Sequence, residues 1–133
     1  MQIEKIIFLS YIPFTDKIKS DFYILDLINK DIDVEYWDLA DLLLKNKDQN
    51  HKASKYIITI DNYHDLGLLI SDNSKNNILF ILLMSLSLRT FRLYRLFTIN
   101  NSQIGYFNRG VVPYLKHSKN FFELAYDKIQ KLK

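Results

Sequence analysis

The side chains able to do chemistry are spread along the chain rather than gathered into a motif. The three histidines, His51, His64 and His117, lie far apart, and no pair has the i,i+4 spacing of a helical metal site. His64-Asp65 pairs a base with a carboxylate, but adjacent residues of a helix point in different directions. Asp33, Glu35 and Asp38 flank one strand-like run. Asp33 and Glu35 would share a face, yet nothing positions a water or a sugar between them, so solvated acids at a strand's margins is the expected reading. There is no cysteine, which removes a thiolate metal site, a cysteine nucleophile and a disulfide framework. Three glycines and two prolines in the chain leave no glycine-rich phosphate loop. No metal and no resident cofactor are expected, and no catalytic residue is assigned.

Charge is the stronger signal. The formal net charge is +3 over 133 residues. Residues 1–88 hold 9 lysines against 13 acids, a net of −4, while residues 89–133 hold 4 arginines and 5 lysines against 2 acids, a net of +7. All four arginines, Arg89, Arg92, Arg95 and Arg109, lie in the second part. A basic region suits an anionic partner such as a nucleotide diphosphate, a lipid phosphate or an acidic membrane surface, or is simply a solvated basic face. Arg89, Arg92 and Arg95 step by three and form a stripe on a helix. That stripe could meet lipid phosphate or a partner's acidic face, or it is the solvated side of an amphipathic helix. Phe91, Tyr94 and Phe97 between them fit the buried face and match no nucleic-acid motif, so nucleic acid is not expected as a partner.

The elements that must position these groups follow from hydrophobic patterning. Hydrophobic residues make up 48% and charged residues 25%, which excludes a disordered tail and suits one globular domain of ordinary size. Residues 5–10, 33–39, 55–60, 78–84 and 103–107 read as strands. The run from Ile78 to Met84 is too short to span a bilayer and is expected at the sheet centre. Ile18, Phe22, Leu25 and Ile28 recur at helical spacing behind Thr15, a candidate N-cap, and predict one helix over about 16–30. A short helix is expected from residue 41, after which 45–54 reads as a loop. A further helix carries Leu66, Leu69 and Ile70, capped by Asp61 or Asn62. Residues 88–97 fit both periods. A helix is expected there because parallel strands need a crossover of about a dozen residues. A last amphipathic helix would carry Phe121, Phe122, Leu124, Ala125, Ile129 and Leu132.

Strands alternating with helices imply an α/β fold: a three-layer α/β/α sandwich, Rossmann-like, with a five-stranded parallel sheet in the order 3-2-1-4-5. In such a sheet ligands bind beyond the carboxyl ends of the strands where the order reverses. That places Ser10, Tyr11 and Thr15 on one side of a crevice and Ser85 and Ser87 on the other. The alternative for Thr15 is helix capping alone, and Asp16 beside it would repel a pyrophosphate. Arg109, just after the last strand, could clamp a phosphate or carboxylate, or could form a surface ion pair. Tyr36 and Trp37 would face opposite sides of the second strand and are expected in the core.

Three segments carry a family resemblance: Tyr11-Ile12-Pro13-Phe14-Thr15, Asp33-Val34-Glu35-Tyr36-Trp37-Asp38-Leu39, and Ile104-Gly105-Tyr106-Phe107-Asn108-Arg109-Gly110-Val111-Val112-Pro113. Spread over nearly the whole chain, they resemble the N-terminal domain of bacterial capsular and exopolysaccharide biosynthesis proteins similar to two-domain glycosyltransferases. The resemblance implies a Rossmann-like acceptor-side domain in capsule or lipopolysaccharide biosynthesis, cytoplasmic or peripheral at the inner membrane. It implies a C-terminal donor-binding domain or partner chain, and a lipid-linked glycan acceptor or an anionic membrane surface as partner. The single domain, 1–133, would then be the N-terminal half of a larger protein and inactive by itself. The alternative is a non-catalytic, flavodoxin-like binding or regulatory module. Against its two best-known forms, the first loop lacks a flavin phosphate cradle, and Ser10-Tyr11 stands where a receiver domain has acids.

Overall fold

The computed structural model of the chain describes residues 3–45, 54–74 and 77–106. Five strands form one sheet: β1 (Lys5–Ser10), β2 (Asp33–Asp38), β3 (Ile57–Thr59), β4 (Ile78–Leu82) and β5 (Ile104–Tyr106). Their order is β3-β2-β1-β4-β5, and every pairing is parallel. This is the expected Rossmann-like arrangement. The helices are α1 (Asp16–Asp21), α2 (Ile24–Ile28), α3 (Ala40–Leu44), α4 (Tyr63–Asn73) and α5 (Phe91–Ile99). The helix expected over 121–132, most of the loop expected over 45–54, and the candidate Arg109 lie outside the described residues. Among the described residues, no helix is long and apolar enough to cross a membrane.

β1 is central because almost nothing in it must stay wet. Every residue after Lys5 is buried, so alternate side chains feed two different cores. On one face Ile7 and Leu9 pack with Trp37, Phe80 and Leu82 beneath Leu66 and Ile70 of α4 and Leu93 and Phe97 of α5. On the other face Ile6 and Phe8 pack with Val34 and Tyr36 beneath Ile18 of α1, its C-cap Phe22, and Ile24 of α2. Tyr36 and Trp37 are both fully buried, one in each core, as their alternation requires. Edge-to-face contacts tie the first core together: Trp37 lies 5.7 Å from Phe80, and Phe80 lies 4.9 Å from Phe97.

Two helices differ from the sequence expectation. The run over 16–30 is not one helix. It breaks at Tyr23, whose backbone is left-handed with φ of 52°. The cause is tertiary. Phe22 packs 5.6 Å from Phe8, and Ile24 is fully buried in the same core. Residues two apart sit about 200° apart around a continuous helix, so both can face the sheet only if the chain turns between them. Leu25 and Ile28, expected on the buried face, are exposed instead. The second difference concerns the run from Leu88 to Phe97. Helix α5 begins only at Phe91, and its buried side is Leu93 and Phe97; Phe91 is exposed. Arg89 therefore lies in the turn before the helix, and only Arg92 and Arg95 share it.

Candidate functional site at the carboxyl edge

The chain leaves β1 toward the face of α1 and α2, whereas it leaves the neighbouring β4 toward the face of α5. The two departing loops, residues 11–15 and 83–90, therefore diverge at the carboxyl edge, the place where sheets of this topology bind ligands. Strand pairing holds both sides. The Leu83 amide donates to the Leu9 carbonyl at 2.9 Å, and the Leu39 amide donates to the Ser10 carbonyl at 2.8 Å.

On the β1 side, the hydroxyls serve the backbone. Ser10 is buried, and its Oγ accepts from the Ile12 amide at 3.0 Å. Thr15 caps α1, with Oγ1 accepting from the Ile18 amide at 3.2 Å. Tyr11 is half-buried against the core beneath α4 and α5. The Ile12 carbonyl accepts from Tyr36 Oη at 2.5 Å, so β2 reaches across to fix this loop. Phe14 closes over it, 5.0 Å from Tyr36 and 5.5 Å from Tyr56. Burial pushes the Tyr36 phenol up to about 12; the Ser10 hydroxyl opposes that shift and the Asp38 carboxylate adds to it. Asp38 is itself buried, and its Oδ1 accepts from the Ala40 amide at 2.9 Å as α3 begins. It is not the solvated acid that its sequence position suggested. Nor is Glu35, which is half-buried and bonded to Lys5 and Trp37.

On the β4 side, one buried threonine organises the loop. Thr90 Oγ1 donates to the Ser85 carbonyl at 2.8 Å and accepts from the Ser87 amide at 2.8 Å. Ser87 Oγ in turn accepts from the Thr90 amide at 3.3 Å. Tyr94 Oη donates to the Met84 carbonyl at 2.8 Å. Burial raises the Tyr94 phenol above its ordinary value, and Tyr106 adds to the effect. With its backbone closed inward, the loop turns Ser85, Leu86, Ser87 and Leu88 to solvent.

The carboxyl edge thus carries Ser10, Tyr11 and Thr15 at the end of β1 and Ser85 and Ser87 after β4. Ser10, Thr15 and Ser87 spend their hydroxyls on backbone amides, while Ser85 is exposed at the rim. Sequence reasoning missed Tyr36 Oη, Asp38 and Thr90 as the groups that shape it. The pattern Ser85-x-Ser87-x-x-Thr90 was the available signal, because Ser and Thr favour such local side-chain-to-backbone turns.

Two grooves among the described residues lie elsewhere. One of 380 Å³ sits by the amino end of β2, lined by Asp31, Asp33, Glu35, Lys55 and Tyr56 among others. Another of 450 Å³ runs beside α1 and α2, lined by Lys19, Tyr23 and Asp26 among others. Among the described residues, no group of three histidines or carboxylates could hold a metal ion. His64 is exposed on α4, and His51 and His117 lie outside the described residues. Arg92 stacks over the Tyr63 ring, 4.2 Å from its centroid, which ties α5 to α4. No protein-family model, curated protein or solved structure matches the chain.

Proposed function

We propose that this chain is the N-terminal, acceptor-side domain of a glycosyltransferase-like protein in surface polysaccharide (capsule or lipopolysaccharide) biosynthesis. One observation carries the reading: the loops that leave β1 and β4 at the switch point, residues 11–15 and 83–90, contain no glycine and carry Tyr11, Thr15, Ser85 and Ser87. A diphosphate needs close backbone approach, which glycine provides. A neutral, hydroxyl-bearing acceptor needs side-chain hydroxyls and an apolar wall instead. In this reading a C-terminal domain or a partner chain holds the nucleotide-sugar donor, the acceptor is a lipid-linked glycan, and the domain alone is inactive. It works in the cytoplasm or at the inner face of the membrane.

A second reading is favoured by a different observation. Ser10 and Thr15 already serve backbone amides, as a purely structural edge would have it. That suits a non-catalytic, flavodoxin-like binding or regulatory module. Titration by two-dimensional NMR separates the two. The acceptor-domain reading expects amide shifts at residues 11–15 and 83–90 on adding a neutral oligosaccharide, with none on adding UDP-glucose. Saturable binding of UDP-glucose would overturn it, and silence toward every saccharide would favour the module.

A further inference from the structure

We infer that the loop over residues 85–91 is a membrane-docking element that inserts leucines into an anionic bilayer and rests arginines on its phosphates. The inference goes beyond the saccharide reading and does not depend on it.

The first observation is exposure. Leu88 is 100% exposed, Leu86 49% and Phe91 56%, three large apolar side chains within six residues. A lone exposed leucine is ordinary, whereas a local cluster marks an interaction surface. The second is that this exposure is built. Buried Thr90 takes the Ser85 carbonyl and the Ser87 amide inward, which fixes Leu86 and Leu88 outward. Ile12, on the loop after the neighbouring β1, is also exposed at this edge.

The third observation is charge, and it selects the partner. Residues 86–106 contain Arg89, Arg92 and Arg95 and no acid. Arg89 sits between Leu88 and Thr90 in the turn, and exposed Phe91 and Arg95 stand one helical turn apart on α5. An apolar tip with cations at its base matches a bilayer, whose anionic headgroups surround an apolar interior. No acid within the element opposes that approach.

Vesicle flotation of the full chain tests this. Phosphatidylcholine vesicles with about one-third phosphatidylglycerol should carry the protein at low salt and release it at about 0.5 M salt, while pure phosphatidylcholine should carry little. Leu88→Asp should weaken partitioning about tenfold or more, by removing inserted area and adding repulsion. The double variant Arg89→Ser/Arg95→Ser should weaken it by a similar factor of roughly ten, while Lys30→Ser/Lys55→Ser, with the same loss of charge at the amino edge of the sheet, should leave it nearly unchanged. Because Leu88 is fully exposed, the Leu88→Asp protein should melt as the parent does, so loss of binding will not be loss of folding. Failure to float with anionic vesicles would overturn the inference. So would binding indifferent to Leu88→Asp, or self-association that Leu88→Asp abolishes, which would make a second copy the occupant. Saccharide titration and flotation are read separately, so either conclusion can fall without the other.

Discussion

Trp37 donates its indole Nε1–H to Glu35 Oε2 at 2.8 Å, two residues back along the same face of β2. The other oxygen of Glu35 accepts from Lys5 Nζ at 2.6 Å, across the β1–β2 pair. The largest core side chain therefore has its single polar atom satisfied by a carboxylate that is itself neutralised. Lys5 and Glu35 keep only 19% and 21% of their side-chain surface exposed, so this is more than a surface pair.

Glu35→Ala should destabilise the fold by about 1–3 kcal/mol, because it strands the indole N–H and leaves the Lys5 ammonium half-buried without its closest carboxylate. Glu35→Gln should lie between it and the parent, since an amide oxygen can still accept from the indole. Urea unfolding followed by the Trp37 emission measures both; equal stability of all three proteins would show that the network contributes nothing.

Tyr36→Phe should lower stability by about 1–2 kcal/mol at neutral pH, by leaving the Ile12 carbonyl without its phenolic donor. It should also change the response to alkali. The folded-state phenol titrates at about 12, against 10.0 for an ordinary tyrosine. Between those values the unfolded chain releases a proton that the folded chain retains, so the phenol's contribution is full below pH 10 and is lost as pH rises toward 12. The parent should lose roughly 2 kcal/mol more than Tyr36→Phe across that window. Parallel stability curves for the two proteins would contradict this.

Thr90→Val keeps shape but deletes the hydrogen bonds that its hydroxyl makes to the Ser85 carbonyl and the Ser87 amide. A loss of about 1–2 kcal/mol is expected, together with faster hydrogen exchange at the Ser87 amide. Exchange rates unchanged from the parent would mean that the loop is held by something other than this hydroxyl.

Tyr23 is 69% exposed and sits at φ of 52°, where a β-carbon is unfavourable. Tyr23→Gly should therefore be neutral or stabilising by up to about 1 kcal/mol, against the usual penalty for glycine near a helix. A clear drop in melting temperature would show that the Tyr23 ring makes a contribution its exposure conceals.

Much of the sheet was legible because parallel strands covered on both faces leave continuous apolar runs, as in Ile6-Ile7-Phe8-Leu9 and Ile78-Leu79-Phe80-Ile81-Leu82. The strand order followed from the general habit of such sheets. The break at Tyr23 was not legible, since Ile18, Phe22, Leu25 and Ile28 keep helical spacing and only the demand of the sheet for both Phe22 and Ile24 overrides it. At the carboxyl edge, topology located Ser10, Tyr11, Thr15 and Ser85. Whether a hydroxyl is available or already bonded depends on amides that only the folded loop brings near. The Tyr36–Ile12 bond joins residues 24 apart in sequence, and no local pattern announces it.

Among the described residues, β3 forms one margin of the sheet and has three residues. A rim that short presents few unpaired amides and carbonyls, so an incoming chain finds little on which to extend the ladder. That margin of the sheet is thereby shielded from runaway cross-chain stacking.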